Sequence, residues 1–273
     1  FLVPVFATFF ALIIGCLFLL ATGEDFKNIF IAYSSLFIGS LGSLNALSET
    51  FTAATPLVFA ALGIALAFRA GLFNIGAEGQ MIIGGMAAVI VGFSIDFLPI
   101  WLHLPLALSV GALAGALYAS IAGWLKASTG AHEVISTIML NLIAIRLLDY
   151  MLRSPIIQKE GRNDPISKSV LDTSELPQLL SFIDPQLRLH AGFLVMLGAV
   201  LLIYWLLFHT TIGYEFRSTG ANPNAAKYAG IKAAFTIVLV MFIAGALAGL
   251  AGANQITGVL GRASPGFSAS IGF

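Results

Sequence analysis

Across 273 residues, 59% hydrophobic and only 10% charged side chains, with a mean hydropathy of +0.97, exclude a water-soluble globule, which needs a polar shell. Lys plus Arg equals 13 and Asp plus Glu equals 13, so the chain carries no basic field that would hold nucleic acid. The single cysteine, Cys16, lies in an apolar run and excludes intrachain disulfides and thiolate zinc sites.

The first apolar run, 3–22, lacks the basic start and small-residue cleavage pattern of a signal peptide and reads as a membrane span. The stretch 26–50 is interrupted by Tyr33, Ser34, Ser35, Ser40, Ser43, Asn45 and Ser48, and reads as an interfacial or re-entrant helix, with an eighth span as the alternative. Further runs at 52–68, 80–98, 104–125, 134–152, 191–209 and 234–256 each suffice to cross a hydrocarbon core. Such a core is about 30 Å thick, and a helix rises ~1.5 Å per residue. Barrel strands alternate apolar and polar residues, which these runs do not. The expected fold is an all-α polytopic helix bundle in the lipid bilayer, one transmembrane domain over 1–273 with seven to eight spans. A start without Met and an end at Ser270-Ile-Gly-Phe273 read as truncation at both ends.

Two connections are unusual. Residues 69–79, Arg-Ala-Gly-Leu-Phe-Asn-Ile-Gly-Ala-Glu-Gly, join two spans through glycines with little loop chemistry, the pattern of a helix unwound at membrane depth beside a cavity. Residues 153–190 carry five basic and five acidic side chains and four prolines, and read as a solvated loop with short helices. Gly71 to Gly79 and Gly258 to Gly272 have the look of related halves of an internal repeat. Small residues at four-residue spacing, Gly111 with Gly115 and Gly245 with Gly249, let helix backbones approach closely, within the chain in preference to a dimer seam.

Polar groups at membrane depth mark pathways unless they have another task. Asn74, Glu78 and Gln80 in the broken segment, Glu133 and Asn141 in the following span, and Asn254 beside Gln255 at the end of the last one are the candidates for lining a solute path. For Glu78 and Glu133 helix capping competes with solute contact, and both stand where the helix dipole favours a carboxylate. Asn74 and Asn141 suit a solute better, because an amide both donates and accepts. Arg146 and Asp149 read as a local ion pair or as snorkelling side chains. His132-Glu133 opens like a zinc-protease signature but has Ser136 where the second His belongs, so no metal or cofactor is expected. No Gly-x-x-x-x-Gly-Lys-Ser/Thr loop occurs, so any nucleotide chemistry belongs to another subunit.

Residues 210–232 enclose a polar island, Gly213-Tyr-Glu-Phe-Arg-Ser-Thr-Gly-Ala-Asn-Pro-Asn-Ala-Ala-Lys-Tyr-Ala-Gly-Ile231, between two spans. Gly213 and Gly220 frame an extended or turn piece; Asn222-Pro223 then starts a short helix that Gly230 ends. A helix so short needs a surface to dock on. If the island is cytoplasmic, Arg69, Lys126, Arg217, Lys227 and Lys232 all fall inside, as positive-inside bias prefers, and 153–190 falls outside with five cations that weaken the bias.

The island resembles the coupling loop of permease subunits in bacterial ATP-binding-cassette importers of the ribose and branched-chain amino acid type. Ala67-Phe-Arg-Ala-Gly-Leu-Phe-Asn-Ile-Gly-Ala-Glu-Gly-Gln80, Glu133-Val-Ile-Ser-Thr137 with Met139-Leu-Asn141, and Gly261-Arg262 with Pro265-Gly-Phe-Ser268 are similar to its nucleoside and simple-sugar branch. The resemblance implies about ten helices in a complete subunit related by an inverted repeat, in a bacterial cytoplasmic (inner) membrane. It implies three partners: a second permease subunit, a cytoplasmic ATP-binding subunit and an extracytoplasmic solute-binding protein. Gly213, Glu215, Arg217, Gly220, Asn222, Pro223, Ala226 and Gly230 match the coupling motif; His132 departs from the Asn usual in the branch. An ion-coupled secondary transporter is the alternative, and an intramembrane enzyme the third.

Overall fold

In lipid every backbone N–H and C=O must find its partner within its own segment, and the apolar runs accordingly fold as helices. The computed structural model describes residues 2–272. It divides into two compact units, Phe1–Thr50 and Phe51–Phe273. The first holds α1 (Leu2–Ala21) and α2 (Phe26–Leu41), pinned by the Tyr33 hydroxyl donating to the Leu12 carbonyl at 2.6 Å. Tyr33 is thus consumed in a helix–helix bond rather than facing an interface.

The region 26–50 is not one helix. Gly42 ends α2, its N–H bonding the Ile38 carbonyl at 2.8 Å, and the Ser43 hydroxyl accepts from Ala46 N at 3.0 Å where α3 (Leu44–Arg69) begins. Ser43, read as a polar interruption, marks a helix start, directly after the helix stop at Gly42. The span expected at 52–68 therefore gains two turns at its N-terminal end, for a total of 26 residues.

The second unit continues through α4 (Ala77–Ser94), α5 (Ile100–Thr129), α6 (Glu133–Leu152), α7 (Gly192–His209), α8 (Thr211–Ala221), α9 (Pro223–Tyr228) and α10 (Ala233–Gln255), which runs on into a π-helical turn at Ile256–Leu260. Among the described residues, six helices are long and apolar enough to cross a membrane: α3, α4, α5, α6, α7 and α10 with its π turn. The described apolar stretches of α1 and α2, Val5–Ala21 and Phe26–Leu41, are shorter. Leu113, Leu117, Trp124, Leu201 and Trp205 point outward, a surface suited to acyl chains and not to water.

α4, α5 and α10 form the centre. A Cβ on Gly84 would strike Gly249, one on Gly115 the Gly245 carbonyl, and one on Gly252 the Met81 carbonyl. The two small-residue motifs thus face each other inside this chain, where dispersion between closely approaching backbones replaces the hydrophobic drive that lipid cannot supply. The loop 153–190 contains one 3-10 turn, Asp172–Ser174, in place of the expected short helices. It is stitched to helix ends instead: Leu171 N donates to Gly92 O, Val170 N to Gly261 O and Leu176 N to Thr257 O, each at 2.8 Å. His103 Nδ1 lies 2.8 Å from the Thr173 hydroxyl on the same face.

Candidate functional site

The chain leaves helical geometry after Arg69, turns through Gly71 at φ +73° and stays unwound until Ala77. Left-handed backbone of this kind suits glycine. A break inside the bundle strands amides and carbonyls, and side chains meet them one by one. Asn141 on α6 donates to Ile75 O and accepts from Gly79 N, both at 2.8 Å. Asn74 Oδ1 accepts from Gly76 N at 2.9 Å and from Gln80 Nε2 at 3.0 Å, while Asn74 Nδ2 donates to Gln80 Oε1 at 3.1 Å. The result is a reciprocal amide pair closing the loop on itself.

Two carboxylates complete the clamp. Glu133 Oε1 accepts from Phe73 N at 3.4 Å, and its Oε2 pairs with Lys126 Nζ at 2.5 Å across the Gly130 turn. Glu78 accepts from the Ser268 hydroxyl and, at 2.9 Å, from Gly272 N. The N-cap positions are Gly76 and His132, and the carboxylates, two positions and one position inside, reach other segments, Glu78 to Ser268 and Gly272 and Glu133 to Lys126 and Phe73. Both also stand in the first turn of their helices, where the dipole favours a carboxylate.

Asn74, Glu78, Gln80, Glu133 and Asn141 are therefore brought together, all buried, around residues 73–80. Asn254 stands outside this hydrogen-bond network, buried against Gly192, with its Oδ1 unpartnered. Arg146 and Asp149 form no ion pair with each other among the described residues; Arg146 is exposed beside Met139 and Ile143. Lys126 and Ser268 are the partners that sequence reasoning missed as site residues. Lys126 was visible as an opposite charge flanking the same turn as Glu133, whereas Ser268 was visible only as part of a motif.

The island is helical nearly throughout. Thr210 caps α8, its hydroxyl accepting from Gly213 N at 3.0 Å, and Gly213 and Gly220 both lie inside that helix, which corrects the extended or turn piece expected between them. Interior glycine costs about 1 kcal/mol of helix propensity. Here the missing Cβ lets α8 lie against the end of α7 at Leu207 and against the Arg69–Gly71 backbone at Gly220. Phe216 is fully buried, and the Arg217 guanidinium sits 5.4 Å from the Phe208 ring centroid with one buried nitrogen, Nη1, unpartnered. Asn222 caps α9 as its sequence foretold, accepting from Asn224 N at 3.0 Å and Ala225 N at 3.1 Å, with Pro223 in the first turn. Only Ala226 of α9 is buried; Gly230 turns the chain at φ +89°, and Tyr228 is 97% exposed. Glu215, Gly230 and Lys232 share a groove between α8 and the start of α10.

With this geometry in place, the comparisons with known proteins decide the family. Residues 46–273 match the model of the branched-chain amino acid transport system / permease component. The chain belongs to that permease family. It is 38% identical to the guanosine ABC transporter permease protein NupP of Bacillus subtilis, covering 100% of this chain and 76% of the relative. The nucleoside ABC transporter permease protein NupB of Lactococcus lactis is 35% identical, over 92% of this chain and 69% of its own length. The glucose ABC transporter permease protein TsgB13 of Haloferax volcanii is 34% identical, over 99% and 71%. No solved structure matches significantly. The permease is a multi-pass membrane protein and a transport component rather than an enzyme, and family membership implies ATP-binding and substrate-binding partner components.

Proposed function

We propose that this permease forms the translocation path for a nucleoside or a simple sugar in an importer driven by a separate cytoplasmic ATPase, and that residues 210–232 are its coupling loop. The supporting observation is the bearing of α8 on the unwound segment: Gly220 packs on Arg69, Ala70 and Gly71, two residues before the clamp begins at Phe73. A capped helix, α9, exposes Asn224, Ala225, Lys227 and Tyr228 beyond it, a face suited to a groove on the motor. On this reading, closure of the motor moves α8 and α9 as a rigid body and shifts the break, which rocks the bundle between inward and outward openings. The loop 153–190, at the other end of α7, then faces the solute-binding protein. A second permease subunit, identical or related, completes the path.

The buried carboxylates favour this over ion coupling. Glu78 is committed to Ser268 and Gly272 and Glu133 to Lys126, so neither stands ready as a proton or sodium relay. The test is uptake and ATP hydrolysis in proteoliposomes holding the assembled transporter. Arg217→Glu is expected to abolish vanadate-sensitive uptake while the permease still inserts; vanadate-resistant uptake by the wild type, or normal uptake by the variant, overturns the proposal.

A further inference from the structure

Asn74, Glu78, Gln80, Glu133 and Asn141, nominated from sequence as solute contacts, are spent on one another, on Lys126 and Ser268 and on the protein's own backbone, while a different place in the fold holds polar groups around open space. It lies at the end of the bundle opposite the α8–α9 loop, separated from it by the length of α7, roughly 27 Å at ~1.5 Å per residue. A cavity of about 460 Å³ opens there between the 172–188 stretch and the π turn. Its size falls within the roughly 300–1,000 Å³ usual for small-molecule sites. Asp172, Glu175, Gln178, Ser181, Arg188 and Thr257 supply its polar wall, with Ile100 and Val259 among the apolar residues.

The floor is backbone geometry of a kind that recurs at functional sites. The π turn at Ile256–Leu260 widens the end of α10, Gly261 reverses the chain at φ +65°, and Leu176 N and Val170 N tie the loop to Thr257 O and Gly261 O. Directly behind Gly258 stands the fully buried ring of His190, 2.7 Å from where a Cβ on that glycine would sit. Both of its ring nitrogens, and Asn254 Oδ1 nearby, lack a protein partner. Buried polar atoms without partners call for water or a ligand next to them.

The wall has a definite chemical preference. Two carboxylates against one guanidinium leave one net negative charge, which opposes a phosphorylated solute. Carboxylates and the Gln178 amide oxygen accept from adjacent sugar hydroxyls, and the Arg188 guanidinium and the Gln178 amide nitrogen donate to ring or carbonyl oxygens. Thr257 donates its own proton to Ala253 O at 2.9 Å and presents its oxygen as an acceptor. Burial, and after it the charge of Asp172, hold the Glu175 carboxyl above its ordinary value.

We infer that this cavity is a receiving site for the hydroxylated face of a neutral solute, a nucleoside or hexose, at the mouth that faces the solute-binding protein, and that it discriminates against the 5′-phosphorylated form. The inference rests on the importer reading and gives it an entry point that the unwound segment does not provide.

The test is uptake of a labelled nucleoside and a labelled hexose by proteoliposomes containing permease, ATPase and binding protein, with the nucleoside 5′-monophosphate as competitor. Glu175→Gln and Gln178→Ala are each expected to lower uptake at sub-saturating solute by about tenfold, the loss of one hydrogen bond to or from a charged or buried group. Glu175→Gln is also expected to make the monophosphate a better competitor. Glu160→Gln, on the same loop but outside the cavity, serves as the control with wild-type uptake. Wild-type uptake in both cavity variants overturns the inference. So does a loss of stimulation by the loaded binding protein with solute preference unchanged, since the cavity then seats the protein. If the wild-type assembly takes up neither solute with ATP present, the importer reading itself fails, a result separable from either outcome in the variants.

Discussion

Gly220 of α8 rests on Gly71 at the start of the unwound segment, backbone against backbone: a Cβ on Gly71 would lie 3.2 Å from Gly220 Cα, and one on Gly220 would lie 2.9 Å from Gly71 N. No side chain stands between them to bend under load. On the proposed coupling reading, a displacement of α8 bears directly on the break, which carries Phe73, Asn74 and Gly76, whose polar atoms are held by Glu133, Gln80 and Asn74.

Gly220→Ala places a methyl against the Arg69 and Ala70 backbone, which cannot yield as a side-chain tip does. Overpacking of this kind costs about 1–3 kcal/mol. Solute uptake is expected to fall by at least about tenfold, with ATP hydrolysis persisting but no longer responding to loaded binding protein. Gly161→Ala, on the loop 153–190, is the comparison: its φ of +74° makes it strained, but nothing lies within 4 Å of the added methyl, so a stability loss without uncoupling is expected. Equal uncoupling by both variants would show that steric contact at Gly220 is irrelevant.

Lys126 and Glu133 answer a different question, namely whether the clamp is electrostatic. The Glu133 side chain is 6% exposed and that of Lys126 28%, so the acid suffers most when the pair is cut. Lys126→Met leaves a buried carboxylate facing the Phe73 and Glu133 backbone N–H groups and the His132 ring at 3.8 Å without its cation, and is expected to cost about 3 kcal/mol. Adding Glu133→Gln is expected to restore much of that. Thermal unfolding in detergent of both single variants and the double variant gives the coupling, and strict additivity would mean the pair contributes nothing beyond its members.

The spans and the short capped helix could be read from residue order because their causes are local: unbroken apolar runs, and Asn222-Pro223 at a helix start. Two features misled because a local rule met a tertiary contact. Ser43, Asn45 and Ser48 gave the start of α3 a polar look although they cap it or sit within it, and Gly213 and Gly220 read as breakers although their bareness is what lets α8 pack. The Ser268–Glu78 bond joins positions 190 apart, and no periodicity encodes it. The cavity wall comes from an irregular loop and a π turn, for which neither a period of two nor one of 3.6 leaves a trace.

Asn222 offers a test of α9 that leaves α8 alone. Its side chain accepts from two backbone amides of a six-residue helix that buries only Ala226. Asn222→Ala removes both bonds, at about 1 kcal/mol. Co-purification of the ATPase with the permease is expected to weaken severalfold, while Asn222→Ser, which keeps an acceptor, retains it. Full retention of the ATPase by Asn222→Ala would show that α9 is not a docking element.

His190 makes the stability of the permease depend on pH. Burial of its ring, and secondarily the positive charge of Arg188, hold its pKa near about 4 in the folded protein, down from 6.5. Above pH 6.5 the ring is neutral in both the folded and unfolded states, and its full stabilising difference is present. As pH falls from 6.5 towards 4 the unfolded chain takes a proton that the folded one refuses, so stability drops through that window and levels off below it. Glu175, whose carboxyl is held above its ordinary value, works in the opposite sense: its carboxyl costs stability when ionised, and acidification relieves that cost. Melting temperatures measured in detergent between pH 7.5 and pH 4.5 are expected to decline more for the wild type than for His190→Gln, which has no proton to take up. If the two curves run parallel, His190 is already paired or solvated in the folded state, and the buried polar atoms behind Gly258 are not empty of partners.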